Sequence, residues 1–271
     1  MARPGNRPKP TARRQVARTC DSALTKEATL SANNRPSGRH YSNRIIPYYD
    51  AGGITLYHGD MREILPALPE VDLVVTDPPY VVGLASTITE PKVGGWADLM
   101  NAATWYSSWL THCQRLTAPS GATWVFNSWR SFPALARAAD ELTWPVASLL
   151  VWDKQSIGPG WRGLRPRYEV VALLAHRRFA IGDRRLTDIH TCRWPAGRKP
   201  TGHPAEKPVP LLRHLIGISG AGLTLDPFAG SGSTLVAAKQ LGRRAIGIEV
   251  KQRWCELAAT RLEATAKGVT Q

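Results

Sequence analysis

Cysteine is scarce in this chain. Its four residues, Cys20, Cys113, Cys192 and Cys255, stand far apart with no CxxC pair. That spacing suggests neither a disulfide framework nor a complete zinc site, and it fits a reducing cytoplasm. His190 and Cys192 come nearest to paired ligands, but with no second pair they imply no metal. Also missing is any apolar run approaching the ~18 residues of a membrane span, and no apolar stretch of the signal-peptide kind follows the basic N-terminus. The expectation is a soluble protein that is not secreted and has no membrane partner. Acidic residues are few as well: 21 Asp and Glu against 35 Lys and Arg, a formal net charge of +14.

What is present suits a folded protein. At 271 residues and 43% hydrophobic content, one large α/β domain with a tail is the economical reading, and Gly and Pro follow no strict period. The charge sits in two places. Residues 1–44 hold ten Lys or Arg against Asp21 and Glu27, and residues 162–199 hold ten against Glu169, Asp183 and Asp188. A polyanion is the natural partner of such patches, because each cation near a phosphate releases condensed counterions. Residues 1–44 carry too few large apolar side chains to offset chain entropy, so they read as a disordered basic tail suited to nonspecific DNA contact. Their Arg-rich character also resembles an organelle transit peptide, without the amphipathic period.

Residues 45–271 read as the folded domain, and from Ile54 the pattern becomes αβ. Strands are expected at Ile54 to Tyr57, Val71 to Thr76, Ala122 to Phe126, Ala147 to Trp152, Glu169 to Ala175, Leu223 to Leu225 and Ala245 to Ile248. Helices are expected near 61–68, 101–116, 131–142, 207–217 and 233–241, with an amphipathic closing helix carrying Trp254, Leu257, Ala258, Arg261 and Leu262. Such alternation implies a mainly parallel sheet with helices on both faces. Val81 to Met100 and His176 to Gly202 resist the scheme, and loops that long inside a domain are usually functional.

Two motifs carry chemistry. Asp77-Pro78-Pro79-Tyr80 directly follows the apolar strand ending at Thr76, where ligands of an open parallel sheet bind. The prolines fix φ and lack N–H groups, which leaves the Pro78 carbonyl a preset acceptor. Asp77 adds a carboxylate acceptor, and Tyr80 a ring on which a flat base can stack. The second motif, Asp226-Pro227-Phe228-Ala229-Gly230-Ser231-Gly232-Ser233-Thr234, follows a short strand and opens a helix. Its glycines let backbone approach a ligand, with Gly232 expected to pass under an adenosyl group, and Glu249 ends the next strand, where a carboxylate can accept from both ribose hydroxyls. Leu235 replaces the third glycine of a dinucleotide GxGxxG, and no GK[ST] makes a phosphate loop.

These residues resemble the amino-methyltransferases of DNA, whose catalytic motif is [DNS]PP[YFW] and whose cofactor motif has the form DxFxGxG. The order resembles the permuted β group, in which the catalytic motif comes first and an HPxxKP linker precedes the cofactor motif. Here that linker is His203-Pro204-Ala205-Glu206-Lys207-Pro208. The resemblance, over about Ile54 to Leu262, implies the S-adenosylmethionine-dependent methyltransferase (Rossmann-like) fold in circularly permuted order. It assigns Asp77, Pro78, Pro79 and Tyr80 to catalysis. To the S-adenosyl-L-methionine site it assigns Asp60, which would accept from the cofactor adenine, with His203, Lys207, Asp226, Phe228, Gly230, Ser231, Gly232, Thr234 and Glu249.

Arg165-Pro166-Arg167-Tyr168-Glu169 is similar to the family's R-x-x-[HY]-E element, which makes Tyr168 a second base-contact candidate beside its alternative as a strand-edge core residue. The segment between that element and the linker reads DNA in the family. Here it is residues 176–202, short for a recognition domain, with Arg184 and Arg185 set against phosphates; Arg165 and Arg167 complete the DNA-binding set. The resemblance implies double-stranded DNA as partner and a cytoplasmic, nucleoid-associated place. It admits a homodimer and a cognate restriction enzyme. Asp in the first catalytic position favours N6 of adenine over N4 of cytosine. No cysteine follows a proline, which excludes C5-cytosine chemistry. RNA or protein methylation and a catalytically silent DNA-binding role are the competing readings.

Overall fold

The computed structural model describes residues 45–80, 96–157, 164–194 and 199–265, with the side chains of 96–99 left aside. The expected tail, 1–44, and most of the expected loop 81–100 lie outside the described residues. In chain order the elements are β1 (Tyr49–Ala51), β2 (Ile54–His58), α1 (Met61–Ile64) with a 3-10 turn at Leu65–Ala67, β3 (Val71–Thr76), α2 (Trp96–Leu116), β4 (Thr117–Asn127), α3 (Phe132–Glu141), β5 (Val146–Asp153), β6 (Tyr168–Ala175), β7 (Ile189–Thr191), α4 (Val209–Ile218), β8 (Thr224–Asp226), α5 (Ser233–Gln240), β9 (Ala245–Glu249) and α6 (Gln252–Ala264). The expected strands and helices are all there. The difference lies in α2, which begins at Trp96 rather than near 101, and in the short strands β1 and β7.

The strands form one sheet of order β1-β2-β9-β8-β3-β4-β6-β5-β7. Pairing is parallel from β2 through β9, β8 and β3 to β4, and again between β5 and β7; it is antiparallel where β1 meets β2 and where β6 meets β4 and β5. Because successive strand side chains face opposite ways, the sheet feeds two cores. Leu73, Val75, Trp124 and Phe126 pack with Leu211 and Leu215 of α4, Leu235 of α5 and Ala258 of α6. On the other face Val74 and Val125 pack with Met61 of α1, Trp109 and Leu110 of α2 and Leu135 of α3. Each such fully buried aliphatic side chain is worth about 1.5–3 kcal/mol against exposure, so the layers themselves hold the sheet.

Local chemistry fixes the ends near the site. Asp60 caps α1, its carboxylate accepting from the Arg62 amide at 2.9 Å. Pro210 sits in the first turn of α4, where its missing N–H costs nothing. Gly232 caps α5 at φ +78°, a left-handed conformation, and Ser233 and Thr234 of the first turn line the crevice.

Candidate active site

The chain leaves β3 through α2 toward β4 on one side and leaves β8 through α5 toward β9 on the other. The crossovers diverge between β3 and β8, and this switch opens a crevice at their carboxyl ends. There the Thr76 hydroxyl donates to Asp226 Oδ1 at 2.9 Å, joining the last residues of the two strands. The crevice is lined by both motifs and the linker, including Asp77, Lys207, Asp226, Phe228, Gly230 and His203.

On the catalytic side, Lys207 Nζ donates to Asp77 Oδ2 at 2.5 Å and lies 3.4 Å from Glu169 Oε2. The Tyr80 hydroxyl donates to the same Glu169 oxygen at 2.9 Å, and Lys154 Nζ reaches its other oxygen at 3.2 Å. The Lys207 ammonium also sits over the rings of Tyr80 and Phe126, 5.4 and 5.3 Å from their centroids. Asp77 Oδ1 is buried and has no hydrogen-bond partner among the described residues. Burial raises the Asp77 pKa, Lys207 opposes the rise, and the Glu169 carboxylate adds to it. Burial also works against ionisation of Glu169, but Lys207, Lys154 and Tyr80 outweigh it and the pKa falls. For the Lys207 ammonium, likewise, the penalty of burial is overcome by Asp77 and Glu169, and its pKa rises.

On the cofactor side, Glu249 is held at the end of β9: its Oε2 accepts from the Gly230 amide at 2.9 Å and its Oε1 from the Lys251 amide at 2.8 Å. Asp60 lies close by, since Gly59 N–H donates to the Glu249 carbonyl at 3.0 Å, and its carboxylate is held by the Arg62 side chain. Asp226 is deeply buried, and burial pushes its pKa up to about 6 against hydrogen bonds from Thr234, Thr76 and the Phe228 amide. His203 packs edge-on to Trp254, and burial followed by Lys207 pushes its pKa down to about 4. Phe228 packs on Trp109 rather than standing free. Gly232 has a further reason within the fold. A Cβ there would lie 2.8 Å from Ala258 Cβ, so the glycine is required by α6 packing and positive φ.

The structure thus brings Asp77, Lys207, Asp226 and Gly230 around one crevice, with Tyr80 joined to it through Glu169 and Glu249 through the Gly230 amide; Lys207 lines it beside the cofactor motif while its ammonium meets Asp77. Tyr168 opens β6 and is exposed, facing away from Glu169 by strand alternation. Arg167 is engaged bidentately by Asp153 at 2.7 Å, and Arg185 pairs with Asp183. Arg165 and Arg184 are exposed. Sequence reasoning missed Glu169, Lys154 and Arg261. The Arg261 guanidinium donates to the Ser231 carbonyl at 2.6 Å and to Ser233 Oγ at 3.1 Å, and lies 3.4 Å from Glu206, so it clamps the glycine turn to the linker. Its helical spacing in α6 reads only as amphipathic, and nothing in that pattern points to the turn.

Comparison with known proteins decides what the crevice belongs to. The DNA methylase family of N6/N4 enzymes matches residues 71–260. The chain belongs to that family. It is 26% identical over 268 residues to the type II methyltransferase M.ScaI of Streptomyces caespitosus, covering 82% of this chain and 86% of that one. It superposes on the M1.HpyAVI–S-adenosylmethionine complex with a TM-score of 0.60 at 25% identity, covering 77% of this chain and 98% of that one. The cytosine-N4-specific PvuII DNA methyltransferase shares the fold, with a TM-score of 0.64 at 19% identity and coverage of 79% and 88%.

The methylase is therefore an S-adenosylmethionine-dependent enzyme acting on DNA. The crevice fits that cofactor: it offers the buried Asp226, the Glu249 carboxylate held by backbone amides, and a turn at Gly230 where a Cβ would crowd the His203 ring at 3.2 Å. When bound, the cofactor supplies an electrophilic methyl group on a sulfonium. Among the described residues no cluster of three or more His, Cys, Asp or Glu could hold a metal ion, and His190 stacks on His214, centroids 4.0 Å apart. No described helix is long and apolar enough to cross a membrane.

Proposed function

We propose that the methylase transfers the methyl group to the exocyclic N6 of adenine in double-stranded DNA of the cytoplasm. One observation carries the reading: Asp77 Oδ1 is a buried acceptor without a hydrogen-bond donor among the described residues, and Asp77 lines the crevice. An unpaired buried acceptor costs about 1–3 kcal/mol, and a substrate N–H relieves that cost. The amine lone pair of adenine is delocalised into its ring. Acceptance of its two hydrogens by Asp77 Oδ1 and the Pro78 carbonyl favours a pyramidal nitrogen whose lone pair points at the methyl group. That interaction strengthens as positive charge builds on the nitrogen, so it stabilises the transition state more than the ground state. The alkylated nitrogen then loses its proton to Asp77, whose raised pKa suits the task.

Tyr80 supplies the face for the extruded base, at a flipping cost of a few kcal/mol. Glu249, Asp60 and the turn at Gly230–Ser231–Gly232 hold the cofactor, with Asp226 and Thr234 shaping the floor. Adenine is favoured over cytosine by Asp77 in the first motif position. The test is chromatography of nucleosides from DNA of cells expressing the protein, alongside the Asp77→Ala variant. N6-methyladenine is expected, with a loss on the order of 10²-fold or more in the variant at unchanged cofactor affinity. N4-methylcytosine alone would overturn the adenine assignment, and full activity of Asp77→Ala would overturn the mechanism.

A further inference from the structure

Trp129 is 58% exposed. Single exposed apolar side chains are ordinary on protein surfaces, but three features set this one apart. The first is its place. Trp129 lies two residues beyond the end of β4, the strand beside β3, so it stands at the carboxyl edge of the sheet near Asp77. In the antiparallel pairing of β4 with β6, Asn127 lies opposite Val170, which puts the turn after Asn127 beside the start of β6, where Tyr168 is also exposed.

The second is the support beneath it. Asn127 and Ser131 are both fully buried, and both shape this turn. Asn127 takes the Ser128 amide on its side-chain oxygen at 2.9 Å and donates to the Tyr106 hydroxyl at 2.9 Å; Ser131 and Phe132 amides donate to the Ser128 carbonyl at 3.1 and 2.9 Å. Buried polar side chains carry a desolvation cost that is met here by fixing a turn whose tip presents an indole to solvent. The third is Arg130, whose guanidinium stacks over the Trp129 ring at 5.0 Å and has no carboxylate at salt-bridge distance among the described residues.

We propose that Trp129 and Arg130 form a DNA-contact element of the methylase, the indole stacking on a base next to the extruded one and the guanidinium pairing with the adjoining phosphate. A rigid aromatic with a stacked cation on a strongly basic chain fits an unstacked nucleic-acid base better than an apolar protein partner, since every base has a π-face and every phosphate a charge. The inference rests on reading the crevice as the place where a base leaves the duplex.

The test uses the full chain and a fluorescein-labelled mixed-sequence duplex with one mismatched adenine, whose flipping cost is lowered. Trp129→Ala should weaken binding by about ten-fold or more, and Trp129→Phe should recover most of the loss. Arg130→Ala should make the salt slope shallower by about 0.9. Both side chains are outside the core, so melting temperature and calorimetric S-adenosylmethionine affinity should stay at wild-type values. Binding and methylation by Trp129→Ala indistinguishable from a wild type that methylates DNA would overturn the proposal and leave the reaction standing. A wild type that methylates no DNA, yet loses duplex binding on Trp129→Ala, would sink the reaction and support the contact.

Discussion

Lys207 and Asp77, 130 residues apart in sequence, meet Nζ to Oδ2 at 2.5 Å inside the crevice. The linker that precedes the cofactor motif is thereby tied to the residue proposed to accept the substrate amine, and Glu169 completes the tie from β6.

The charge balance of this group sets a pH dependence. Lys207 lowers the Asp77 pKa and Glu169 raises it. In Lys207→Met the burial of Asp77 is unopposed, so its pKa should climb and the acid limb of the kcat/KM profile should move to higher pH. In Glu169→Gln the limb should move the other way, to lower pH. A pH–rate series on both variants checks the opposed directions, and a purely structural role would shift neither limb.

Asp226 is held at a stability cost. With its pKa raised from 3.8 to about 6, the folded state binds more protons than the unfolded one between those values, so stability falls as pH rises through that window and the full penalty applies above it. The shift corresponds to on the order of 3 kcal/mol. Asp226→Asn keeps an oxygen for Thr76 and the Phe228 amide, so at pH 8 it should melt at a higher temperature than the wild type. The gain should fade toward pH 4. Thermal melts at a series of pH values measure this.

Gly232 should not tolerate a side chain, for reasons internal to the protein. Its left-handed φ of +78° costs a non-glycine residue roughly 1–2 kcal/mol, and the new Cβ would collide with Ala258 of α6. Gly232→Ala should lower both melting temperature and cofactor affinity. Adding Ala258→Gly relieves the collision but leaves the φ strain, so partial recovery in the double variant is the expected calorimetric result.

Arg184 and Arg185 should differ as phosphate contacts. Arg185 is already paired with Asp183, whereas Arg184 is exposed with no carboxylate at salt-bridge distance among the described residues. Arg184→Ala should make the salt slope of DNA binding shallower by about 0.9, and Arg185→Ala should change it less. Equal slopes for the two variants would discount the Asp183 pair.

Much of the fold could be read directly, because β3, β6 and β9 are near-continuous apolar runs and helices such as α3 and α4 bury one face. The strands β1 and β7 escaped because three-residue edge strands are mostly exposed and have no hydrophobic signature. The crevice was legible where backbone chemistry is coded locally, as in Pro78-Pro79 and the glycine turn. Side-chain alliances were not. Nothing in the spacing of Lys207 says that it turns toward Asp77, since that follows from β6 bringing Glu169 alongside, and Arg261 acts across a helix face that reads as ordinary packing.

The sheet order has a consequence for synthesis on the ribosome. β2 and β3 are consecutive in the chain, yet β9 and β8, the final strands of the described residues, slot between them. Until residue 249 has emerged, each of those early strands presents an unpaired inner edge facing a gap two strands wide, an aggregation hazard for as long as translation lasts. The crevice cannot exist in a partial chain, since its floor is the very pair that closes the gap. A ribosome that stalls before β8 therefore releases no weakly active fragment, even though β3, β4, β6, β5 and β7 have partners among themselves by then.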